Sequence, residues 1–138
     1  MNRMRQSPLL VLLGTAALAL SGCAPSSGPG QYTLSGTVLC QGKPVPVGEI
    51  TLSPDGARGN TGPGSIASIK DGKYQTLPGK GIVGGAYVVQ IVGFDGVSVD
   101  AMSSAGTALF PPYETRVEFP RESTTHDFTI SPSPGARQ

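Results

Sequence analysis

The sequence has no tryptophan, one histidine and two cysteines in 138 residues, and its aromatic side chains are four Tyr and four Phe. Each scarcity closes off a class of chemistry. A zinc site needs three or four His, Cys or acidic ligands, and His126 with a single free thiol does not supply that set. A Ser or Cys nucleophile needs a positioned base, and His126 is the only imidazole to draw on. Charged residues make up 14% of the chain, ten basic against nine acidic, so nothing points to nucleic acid. There is no Asp-x-Asp-x-Asp-Gly run for calcium, although Asp55, Asn60, Asp71, Asp95 and Asp100 sit in Gly-rich stretches. Nor is there a long apolar run. The apolar stretch at 9–20 has about twelve residues, against the roughly twenty that cross a bilayer core. No convincing helical period appears anywhere after it.

What is abundant is glycine and proline, 20 and 13 residues, together with a marked beginning. Arg3 and Arg5 precede the apolar stretch, and small residues end it: a charged segment, then an apolar segment of signal-peptide length. Leu20-Ser21-Gly22-Cys23 resembles the bacterial lipobox. That resemblance implies a signal peptide over 1–22, removed by a cut before Cys23, and a diacylglyceryl group on the Cys23 thiol. It also implies acylation of the new amine. Each buried methylene contributes about 0.8 kcal/mol, so two or three acyl chains make a lasting anchor where one does not. Ala24 stands where an Asp retains such proteins in the inner membrane, so the expected location is the outer membrane of the cell envelope. Acylation would leave Cys40 as a lone thiol, expected to be inert and to face inward with Leu34, Gly36 and Val38.

Residues 23–31 read as a lipidated flexible tether. Residues 32–131 read as one domain, and 132–138 as a disordered tail. Within the domain, period-2 alternation predicts seven short strands, at 32–39, 49–53, 65–70, 73–76, 85–93, 115–119 and 125–130. Asp71-Gly72 predicts a tight hairpin. Residues 54–64 and 94–108 read as loops, the second long for a compact domain. The strand at 85–93 is apolar at nearly every position, which predicts cover on both faces. The whole reads as an all-β, seven-stranded sandwich.

The segments SGTVLCQGKPVPVGEITLSP (35–54), IKDGKYQTLPGKGIVGGAYVVQIVGFDG (69–96) and LFPPYETRVEFP (109–120) resemble small bacterial lipoproteins with a carboxypeptidase-regulatory-like, transthyretin-like domain. The resemblance spans residues 32–130 and implies a prealbumin-like sandwich serving as an accessory or binding module. Its motifs are turns and core positions, which specify fold better than function. The enzymatic branch of that fold, the 5-hydroxyisourate hydrolases, uses several His, an Arg and a C-terminal Tyr-Arg-Gly-Ser. This chain has only His126 and ends Gly-Ala-Arg-Gln, so the activity does not carry over.

Gly79-Lys80-Gly81-Ile82-Val83-Gly84 is a literal Gly-x-Gly-x-x-Gly, with Asp100 about twenty residues on. A dinucleotide site needs its last glycine to open a helix. Here a β-branched run follows, so a turn before a strand is expected. The resulting expectation is a non-enzymatic, membrane-anchored protein without a cofactor, displaying a binding or structural module. Its partner is an envelope protein or, as the alternative, a glycan. Sheet-edge pairing and the 94–108 segment are the first places to look.

Overall fold

A computed structural model describes residues 30–98, 100 and 104–132. The leader, Cys23, most of the tether and the tail from 133 onward lie outside the described residues. In chain order the strands are β1 (Leu34–Cys40), β2 (Lys43–Pro44), β3 (Val47–Pro54), β4 (Ser65–Lys70), β5 (Lys73–Gln75), β6 (Gly85–Phe94), β7 (Tyr113–Phe119), β8 (Thr124–Thr125) and β9 (Phe128–Ile130). One 3-10 turn, Gly56–Arg58, is the single helical element among the described residues, and none of these is in a helix long and apolar enough to cross a membrane.

Two turns set the local geometry. Gln41-Gly42 and Asp71-Gly72 have positive φ at both positions, 52° and 77°, then 51° and 74°. That is the primed turn whose twist matches its flanking strands. Cys40 accordingly faces Lys43 across the first hairpin, and Lys70 faces Lys73 across the second.

Hydrogen bonding runs in the order β2-β1-β5-β4-β3-β6-β7, with β8 and β9 also paired to β1. Since β5 and β2 occupy one edge of β1, β8 and β9 take the other, and they run parallel to it. Every other neighbouring pair is antiparallel. The result is a curled, predominantly antiparallel sheet around one core. Leu34, Val38, Ile50, Leu52, Tyr87, Val89, Ile91 and Ile130 are almost fully buried in it. Each such side chain contributes on the order of 1.5–3 kcal/mol. Phe110 closes the core over the Gly48–Gly93 pair of β3 and β6. A Cβ on Gly93 would lie 2.7 Å from both the Phe110 ring and Val45, so the ring needs glycine there.

The structure corrects the sequence reading in three places. Nine strands are described where alternation predicts seven, because β2 is too short to alternate and 125–130 is split. The split has a chemical cause. Thr37 N–H donates to the Asp127 carboxylate (2.8 Å), and the His126 carbonyl accepts from the Tyr74 hydroxyl (2.6 Å). A side chain therefore replaces one rung of the β1 ladder. Second, β6 is fully covered on one face and only in part on the other, where Ala86 is buried. Tyr87, Val89 and Ile91 are buried, while Gln90 is exposed and Val88 and Val92 are half-buried. Third, 94–108 is not a loop down to its base. Phe94 bridges Ala108, Asp95 N–H donates to the Thr107 carbonyl, and Gly96 N–H donates to that of Ala105.

Candidate functional site

Strand direction sorts the connections to two ends of the domain. The chain enters at Gly30 beside 54–64, 77–84 and 120–123, which form the proximal end. The turns at 41–42 and 71–72 and the segment 94–112 form the distal end.

At the distal end one carboxylate organises the predicted loop. Asp95 accepts from the N–H groups of Val97 and Thr107, both at 2.9 Å. These two bonds hold its pKa below the ordinary carboxylate value. The base is thus pinned, and it carries Val97, 60% exposed. Leu109 and Val47 stand exposed at the same end, with Gly96 alongside Val47. Three of the five exposed large hydrophobics among the described residues therefore gather here. Val99, Ala101, Met102 and Ser103 of the same loop lie outside the described residues.

At the proximal end a depression of about 610 Å³ opens between 58–63 and 83–86. Asn60 builds its wall. Its amide donates to the Ala86 carbonyl (2.9 Å) and the Gly84 carbonyl (3.3 Å) and accepts from Gly62 N–H (3.1 Å). Arg58 lies 3.4 Å from Glu118, both well exposed, a pair that contributes little. Arg116 lies 3.6 Å from the buried Asp55. Arg121 lines the depression and makes no ion pair among the described residues.

His126 sits between rings, its centroid 4.7 Å from Phe128 and 5.6 Å from Phe119, and its backbone N–H donates to Ser35. Next to it, Asp127 binds both the N–H and the hydroxyl of Thr37 at 2.8 Å. These bonds hold the Asp127 carboxyl below its usual range, with a smaller contribution from the neighbouring imidazole. Burial, helped by the Asp127 charge, pushes the Tyr74 hydroxyl well above its usual pKa. The cluster is a structural staple, with every described group engaged by another.

Cys40 is a free, half-buried thiol packed against the core, and burial raises its pKa. Reactive thiols need the opposite shift. Gly79, Gly81 and Gly84 belong to turns. Gly81 packs under the Tyr32 carbonyl, Ile82 bridges Tyr32, and β6 follows rather than a helix. Asp55 and Asn60 lie at the proximal end and Asp71 and Asp95 at the distal one. Among the described residues no three acidic, His or Cys groups are placed to share an ion. Cys23 lies outside the described residues.

The roles of Asp95, Asn60 and Asp127 escape sequence reading, because a carboxylate or amide that caps distant backbone leaves no period. The one available signal was Asp95-Gly96, which reads only as a turn. No protein-family model matches the chain, and no curated protein matches it either.

Proposed function

We propose that the protein is a lipoprotein of the bacterial cell envelope, anchored through acylated Cys23 and displaying a non-enzymatic binding module. The curled sheet is read as a transthyretin-like sandwich, with β8, β9, β1 and β5 folding over β3, β6 and β7. The supporting observation is how the chain divides. The described fold begins at the Tyr32–Ile82 bridge, nine residues after Cys23, which is consistent with a short tether between a lipidated Cys23 and the folded module. The module then carries its pinned apolar end, Val47, Val97 and Leu109, away from the tether. An apolar patch of this kind marks a protein partner.

Two features favour that end over the alternatives. The outer edge of β7 bears exposed Glu114, Arg116 and Glu118, the charges that discourage strand addition. None of the eight aromatic residues is fully exposed; only Tyr32, Phe94 and Tyr113 are half-buried, which gives a glycan little ring surface to stack on.

The test is mass spectrometry of the membrane fraction. The expected result is an acylated N-terminal peptide that starts at Cys23. A soluble mature chain with a free Cys23 thiol would overturn the reading.

A further inference from the structure

The most exposed large hydrophobic side chain among the described residues is Leu77, at 61%. It sits in the proximal turn Leu77-Pro78-Gly79-Lys80, closed by a hydrogen bond from Lys80 N–H to the Leu77 carbonyl (3.0 Å). A second exposed hydrophobe, Ile66 at 55%, shares a shallow depression with Leu77 and Lys80. The turn is fixed to the fold. The Lys80 carbonyl accepts from the buried Ser65 hydroxyl, and the adjoining Gly81 and Ile82 pack on Tyr32.

Leu77 therefore stands at the end where the chain comes in from Cys23. Only six residues separate Cys23 from Gly30, and at roughly 3.3–3.6 Å per residue they reach about 25 Å at most. An acyl anchor on Cys23 holds this end within that distance of the headgroups. A protruding Leu beside a Lys suits such a surface. The apolar side chain enters the interface, and the long cationic one keeps its charge among the headgroups. Arg121 lies at the same end and adds charge of the same sign, whereas Arg58 there is paired with Glu118.

We infer that the Leu77–Lys80 turn is a second membrane contact, which inserts into the interface of an anionic bilayer and sets the orientation of the anchored domain. This rests on the reading of Cys23 as lipidated. The distal Val47, Val97 and Leu109 then point away from the bilayer.

The test uses the full chain, purified from membranes and reconstituted in vesicles of phosphatidylethanolamine and phosphatidylglycerol. A polarity-sensitive fluorophore is placed at Leu77→Cys or, as the control, at Asp71→Cys, each in a Cys40→Val background. The expected result at 77 is a blue shift and loss of emission to nitroxide-bearing lipids, with neither at 71. Lys80→Glu should reduce the quenching at 77. If Cys23 carries its acyl mass and the two positions respond alike, the inference is overturned and the anchor stands. If Cys23 is unmodified and the protein leaves the vesicles, both fall.

Discussion

At the scale of single residues, Asp127 and Gly36 hold β1 to the end of the chain. Gly36 runs so close to the His126 carbonyl that a Cβ there would overlap it. That approach lets the Tyr74 hydroxyl reach the same carbonyl while Asp127 takes over Thr37. The carboxylate form of Asp127 is the one that accepts both bonds, which is why its folded pKa lies below the ordinary value. The folded state therefore binds this proton less readily than the unfolded chain. Its contribution to stability is complete above the unfolded pKa of about 3.9 and is lost as pH falls through the lower folded value. Asp95 acts in the same direction at the other end. Asp127→Asn keeps an acceptor but not the charge, so it should cost stability at pH 7 and nearly nothing in strong acid. Urea unfolding at the two pH values measures this. An equal loss at both would mean that the charge has no part in the staple.

Elements show what alternation can and cannot convey. Six of the seven predicted strands stand within a few residues of their expected limits, because each has one face in the core and the period is legible. The hairpin at Asp71-Gly72 is legible because its turn demands positive φ. The seventh, at 125–130, breaks where Asp127 replaces a backbone rung, and β6 keeps a partly open face although nearly all its residues are apolar. Composition cannot tell a covered face from a half-buried one. The 94–108 segment is the clearest case. Its Ser, Gly and Ala content reads as a loop, but Asp95 zips its base. This limits how the segment can be shortened. Removing 97–106 would delete Val97 N–H and the Ala105 carbonyl along with the tip, whereas replacing 98–104 by a short Gly-Ser link keeps both. Loop-closure entropy changes slowly with length, so the smaller replacement should alter stability by about 1 kcal/mol or less. Thermal unfolding should confirm an intact fold. Capture of the proposed envelope partner by cross-linking should fall if the tip takes part, and stay unchanged if contact is confined to Val47, Val97 and Leu109.

For the whole molecule, the question is where the folding unit begins, since that boundary separates the folded module from the proposed anchoring segment. Tyr32 exchanges both backbone hydrogen bonds with Ile82, at 2.6 and 2.9 Å. Thr33 accepts from Thr124 and donates to the Ser123 hydroxyl, joining the entry of the chain to the start of β8. Leu34 is wholly buried, and its N–H donates to the Thr76 hydroxyl. Three consecutive residues thus tie the first strand to β8, to the end of β5 and to the turn before β6. A chain that starts at Gln31 retains all of these bonds and should fold without the preceding 30 residues, with a far-ultraviolet spectrum of β type. A chain that starts at Ser35 loses the buried leucine, about 1.5–3 kcal/mol, and several hydrogen bonds at about 1 kcal/mol each. That is a large part of the 5–15 kcal/mol by which domains are typically stable. The shorter chain should therefore unfold at a much lower temperature, or fail to fold. Thermal melts of the two chains decide the matter. Equal melting temperatures would move the boundary inward past Leu34 and make the strand entry part of the tether.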